Sequence, residues 1–125
     1  MATRSTIALE FADGTVQQVY CHFDGYLSGI GAQLQSDFTD PFALRELIDE
    51  GDMSTIGGPY SNRGEDCPAR KYKDINEYFA ECQQEEYDYI LRNVNGVATW
   101  FVRFYATDGE WIKLANARVK EQEYA

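Results

Sequence analysis

Long apolar runs, positive charge and histidine are all scarce in this chain. No stretch approaches the roughly 18 consecutive apolar residues of a membrane-spanning helix, so no membrane partner is expected. The opening MATRSTIALEF has no long apolar core and no small-residue cleavage site, which predicts no secretory signal. Lysine and arginine number 11 against 21 acidic residues, a formal net charge of −10. That balance excludes direct nucleic-acid binding by phosphate neutralisation, and docking on anionic lipid. Histidine occurs once, at His22, and cysteine only at Cys21, Cys67 and Cys82. An odd cysteine count without a signal peptide predicts free thiols in a reducing cytoplasm. No two of these cysteines have zinc-motif spacing, and the glycine-rich piece Gly57–Gly64 lacks the Gly-Lys-Ser/Thr ending of a P-loop. Neither a metal nor a cofactor is expected.

The chain has 125 residues, 44% of them hydrophobic and 14% aromatic, enough for one folded domain over residues 1–125. Ser5–Phe11 alternates, Asp13-Gly14 is a hairpin signal, and Val16–Phe23 returns as a second strand. Gly29–Phe38 is compatible with a short helix. Asp40-Pro41 opens the clearest helix, with Phe42, Leu44, Leu47 and Ile48 as an apolar stripe before Gly51. Residues 51–73 hold four of the ten glycines and two of the three prolines and read as one long irregular loop. A third helix is expected from Asp74, with Ile75, Tyr78, Phe79 and Cys82 inward. Tyr87–Asn93, Val97–Ala106 and Trp111–Ala115 read as strands around Asn95-Gly96 and Asp108-Gly109, before a short tail compatible with helix. The expected fold is α+β: an antiparallel sheet of about five strands, with two to three helices packed on one face.

The excess charge is concentrated. Residues 37–88 contain 14 acids and 5 bases, whereas the flanks together hold 7 and 6. Glu77, Glu81 and Glu85 recur every four residues, which predicts one acidic helix face if the helix runs that far. Like charges at that spacing destabilise a helix by about 0.2–0.5 kcal/mol per pair. Asp40, Glu46, Asp49, Glu50 and Asp52 form a second cluster. Such a middle either keeps the protein soluble or engages a basic groove on a partner, since carboxylates one helical turn apart lie near the spacing of phosphates along a nucleic-acid strand. On the second reading the contacts are Asp49, Glu50, Asp52, Glu77, Glu81 and Glu85, with Tyr60 and Arg63 from the loop.

Catalytic signals are weak. His22 and Asp24 form His-x-Asp, but no nucleophile is evidently placed beside them, and no catalytic residue is assigned. Tyr20, His22, Asp24 and Tyr26 together could instead line a small-ligand pocket.

The segments Thr3-Arg4-Ser5-Thr6-Ile7-Ala8 and Tyr20-Cys21-His22-Phe23-Asp24-Gly25-Tyr26, then Gly31, Leu34 and Leu47–Gly57, form a recognisable set. Their pattern resembles small proteins encoded by bacteriophages and prophages that carry TRSxIA, YCHxDGY and LIxxGDxSxxG. The resemblance covers about the first half of the chain. It implies a phage accessory protein acting in a bacterial host cytoplasm, and it transfers no catalytic residue. Charge and resemblance together suggest a non-enzymatic inhibitor of a bacterial defence system, of the anti-CRISPR kind. Its partner would be a host defence protein or ribonucleoprotein complex with a basic groove. The rival expectations are a nucleotide-binding protein that sequesters or modifies a defence signal, and a phage assembly protein.

Overall fold

Alternation in the first twenty-five residues does produce a hairpin. Strands β1 (Ser5–Glu10) and β2 (Val16–Cys21) pair antiparallel around a turn in which Gly14 takes φ +92°, a conformation that favours glycine. A computed structural model describes residues 2–56 and 67–124 of the chain. After β2 come a π-turn at Leu27–Gly31, α1 (Ala32–Asp37), α2 (Pro41–Asp49), β3 (Arg70–Tyr72) and α3 (Ile75–Glu81). Strands β4 (Tyr87–Val94), β5 (Val97–Phe104) and β6 (Ile112–Lys113) follow, and α4 (Ala117–Tyr124) ends the chain.

The sheet has six strands, not five, in the order β3-β2-β1-β4-β5-β6. It is two antiparallel halves fused along a parallel seam, where β1 runs beside β4 with Ser5 opposite Tyr87 and Leu9 opposite Leu91. Each hairpin was visible locally. The seam joins segments some eighty residues apart and leaves no local signal. β3 falls within the segment expected to be irregular. It is a three-residue edge strand, antiparallel to β2, too short to impose a pattern. Met53, in the same segment, bridges to Cys21.

Helices cover both faces, correcting the expected one-sided packing. Ile7, Leu9, Val19, Tyr89, Leu91, Trp100 and Val102 point to one face, where they meet Leu34 of α1 and Leu44, Leu47 and Ile48 of α2. Gly31 sits tight against this core: a Cβ there would lie 3.0 Å from the Tyr89 hydroxyl, which donates to Gly25 O at 2.7 Å. The alternate residues Ala8, Val16 and Ile90 point the other way and pack under Tyr78 of α3 and Cys82. α2 starts as its sequence predicts, with Pro41 at the first position and the Asp40 carboxylate accepting from Phe42 N–H. Phe42 departs from the expected stripe and is 78% exposed.

α3 ends sooner than its glutamate periodicity suggests. Gln18 of β2, fully buried, accepts from Gln83 N–H at 3.3 Å and donates to Gln83 O at 3.0 Å. One buried amide thus captures both backbone groups of Gln83, and Cys82 is already extended at ψ 151°. Glu85 therefore lies off the helix, and the expected row Glu77-Glu81-Glu85 does not form.

Candidate functional site

The acids of the middle segment separate into three environments. Glu46, Asp49 and Glu50 stand exposed on α2 and at its C-terminal cap, opposite the buried Leu44, Leu47 and Ile48. None makes an ion pair with a described residue. The helix ends here with no basic residue in its last turn, so these carboxylates sit against the negative end of its dipole. Glu81 is exposed on α3, across the sheet from α2. Glu77 is half-buried and serves the helix start: its N–H donates to Asp74 and its carboxylate accepts from Lys73 N–H.

Asp52 belongs to neither surface. It is buried, accepts from Tyr20 N–H at 2.9 Å and holds Arg70 through two hydrogen bonds of 3.1 and 2.9 Å. That bond keeps the Arg70 guanidinium above its usual pKa. Asp52 thus ties β2 to β3 and is not available as the expected docking acid. Tyr60 and Arg63 lie outside the described residues.

The residues expected to line a pocket also divide. Tyr20 and His22 project to the same side of the β2 end, with the Tyr20 hydroxyl 2.6 Å from His22 Nδ1. Burial raises the pKa of the Tyr20 phenol, so it stays protonated at neutral pH. Asp24 and Tyr26 turn away. Asp24 has φ +62°, is exposed, and accepts from the Tyr26 hydroxyl at 3.3 Å. The cleft beside Tyr20 and His22 has a volume of about 310 Å³ and is completed by Arg4, Asp52, Arg70, Gln83 and Glu85. Arg4 makes no ion pair with a described residue. The cleft therefore offers the Arg4 cation, an imidazole and a phenol to a small ligand, beside the Glu85 carboxylate and the Asp52–Arg70 pair.

No protein-family model, no curated protein and no solved structure matches this chain. Its chemistry must be read from these side chains alone. Among the described residues no three His, Cys, Asp or Glu side chains are grouped as metal ligands, and no helix is long and apolar enough to cross a membrane. The three cysteines are free. Cys21 is buried and its thiol pKa is pushed up to about 11 by that burial, so it is a core residue rather than a nucleophile. Cys82 is also buried, just beyond α3, with Arg103 donating to its sulfur at 3.4 Å.

Sequence reasoning did not place Arg4 or Gln83 at the cleft. Arg4 enters because β1 and β2 pair with Ser5 opposite Cys21, which brings the start of one strand to the end of the other. Only pairing register carries that information.

Proposed function

We propose that this protein is a phage-encoded, non-enzymatic inhibitor of a bacterial defence system, most simply of the anti-CRISPR class. It would occupy a basic nucleic-acid-binding groove with the exposed face of α2. The supporting observation is the trio Glu46, Asp49 and Glu50, with Glu46 one turn before the adjacent Asp49 and Glu50, all exposed and in no ion pair with a described residue. Placing acids at a helix C-terminus opposes the macrodipole by about 0.3–1 kcal/mol each, so helix stability does not account for the arrangement. A basic partner would. Glu81 stands on the other face of the sheet and is peripheral to this contact.

The test is phage infection of bacteria carrying defined defence systems. Expression of the wild-type protein should restore plaque formation against at least one of them. Replacing Glu46, Asp49 and Glu50 together by lysine should abolish that protection, while Glu81→Lys should leave it largely intact. Retained protection by the folded triple variant would refute the α2 contact.

The cleft favours a second reading, in which the protein sequesters a nucleotide-like defence signal. Its support is the Tyr20–His22 hydrogen bond beside the unpaired Arg4. Calorimetry against cyclic nucleotides decides it: saturable binding lost in Arg4→Ala supports sequestration, and no heat across the panel removes it. Turnover of a bound nucleotide, abolished by His22→Ala, would extend this to catalysis.

A further inference from the structure

A groove adjoins the first half of α2, beside its acidic C-terminal end and apart from the Tyr20–His22 cleft. It has a volume of about 580 Å³ and lies between the tip of the β1–β2 hairpin, the first half of α2 and the end of β4. Pockets of about 300–1,000 Å³ are the usual size for small-molecule ligands. Its walls include Leu9, Phe11, Phe42, Leu91 and Ala98, and apolar atoms outweigh polar ones on its surface.

The charge in this groove is specific. Glu10 and Arg92 also border it, but they hold each other at 3.0 Å, and the Arg92 guanidinium lies 5.6 Å from the Phe79 ring on the opposite sheet face. That leaves Arg45. Asp49 stands one helical turn away, yet Arg45 makes no ion pair with it or with any other described residue. Its guanidinium instead lies 5.7 Å from the centre of the Phe11 ring, at the groove wall. Arg45 thus sets a cation with no carboxylate partner among the described residues against an apolar trough. Phe42, exposed at the lip, adds an aromatic surface that the fold itself does not use.

From this juxtaposition we infer that the groove binds a small amphipathic carboxylate. Its aromatic or branched body would lie against Phe11, Phe42 and Leu91, and its carboxylate would meet Arg45. The complementarity has two parts: apolar area for the body, and one uncompensated guanidinium, suited to a planar carboxylate, for the head.

The probe is 2-naphthaleneacetate, compared with its neutral counterpart 2-naphthaleneethanol, in backbone amide NMR titrations of the full chain. The acid should bind saturably, with shifts confined to residues 9–14, 41–45 and 91–98. The alcohol should bind about fivefold more weakly, the discrimination expected of one partly exposed charged contact. Arg45→Gln should erase the preference for the acid, and Phe42→Ala should weaken both ligands. Both side chains are exposed, so the variants should fold as the wild type does, which their amide spectra will show. Failure to saturate, equal binding of acid and alcohol, or a preference that survives Arg45→Gln would each overturn the inference. Equal binding would mark the groove as an apolar seat, such as a partner's side chain could fill. The outcome is independent of plaque restoration, because Glu46, Asp49 and Glu50 do not line the groove.

Discussion

The two faces of the sheet are held by different physics. On the face covered by α1 and α2, the buried apolar cluster has twenty members among the described residues. Under α3 the buried apolar cluster has five members among the described residues, with Tyr72, Ile75, Phe79, Phe101 and Trp111 packed around it and the buried polar side chains Thr6, Gln18 and Asp88 on the same face. There Asp88, on the parallel seam, accepts from the Thr6 hydroxyl at 2.6 Å, from Glu85 N–H at 3.1 Å and from Arg103 at 3.3 Å. Arg103 in turn lies 4.6 Å from the centre of the Trp111 ring. Gln18 accepts from the Tyr72 hydroxyl while it holds Gln83. The dry face supplies most of the apolar burial that drives folding. The polar face decides where the chain turns, because each buried donor or acceptor tolerates few alternatives.

The sharpest way to break this comparison is to remove one side chain from each face. Asp88→Ala deletes little apolar surface, yet it strands Arg103, whose side chain is only 11% exposed, and should cost about 3–5 kcal/mol. Leu44→Ala, on the dry face, should cost about 2–5 kcal/mol through lost transfer energy and the cavity left behind. Urea unfolding measures both. A second change separates the mechanisms: Arg103→Met added to Asp88→Ala should recover much of the loss, since no unpaired charge then remains buried. No second change near Leu44 should act that way. If Asp88→Ala costs less than 1 kcal/mol, on the order of a surface pair, the polar face has no such role.

The same carboxylate sets a pH dependence. Burial raises the Asp88 pKa above its usual value, outweighing the hydrogen bonds from Thr6 and Glu85 N–H and the pull of Arg103. Between the unfolded and folded pKa values the native state binds more protons, so this contribution is complete below about pH 4 and declines as pH rises through the folded value. Asp88→Asn removes the titration. The stability of the wild type relative to Asp88→Asn should therefore fall as pH rises above about 4, read as paired thermal midpoints. A rising difference would contradict the burial argument.

Gln18→Ala should cost about 1–3 kcal/mol, as the Tyr72 hydroxyl and both backbone groups of Gln83 lose a buried partner. Hydrogen exchange should show faster opening at residues 82–85 than at the centre of β1. This site also marks the limit of what the chain declares about itself. Turns and caps were legible: Asp13-Gly14 and Asn95-Gly96 form hairpins, and Asp40-Pro41 starts α2, because a few neighbouring residues determine those geometries. The end of α3 was not legible. It depends on an amide sixty-five positions away in β2, and neither segment shows alone that they meet. The acids follow the same logic. One acidic stretch of sequence becomes an exposed α2 trio, a buried Asp52 that fastens Arg70, and a Glu81 on the far side of the sheet.

The smallest expected effect on stability is also the one that separates solubility from docking. Asp49→Lys with Glu50→Lys replaces carboxylates at the α2 C-terminus by cations, the sign that the dipole favours. Neither residue accepts a side-chain hydrogen bond from a described residue or packs in the core. The double variant should be stabilised by about 0.5–1 kcal/mol, and the gain should shrink as salt is added. Solubility alone does not require the excess charge at this helix end rather than on a neutral loop. If the wild type restores plaque formation as proposed, a stabilised variant that fails to do so would show that α2 holds its carboxylates for a partner, at a cost to its own fold. A variant both stabilised and fully active would leave these acids with no role beyond solvation, and the polarity of α2 would then be incidental to what the protein does.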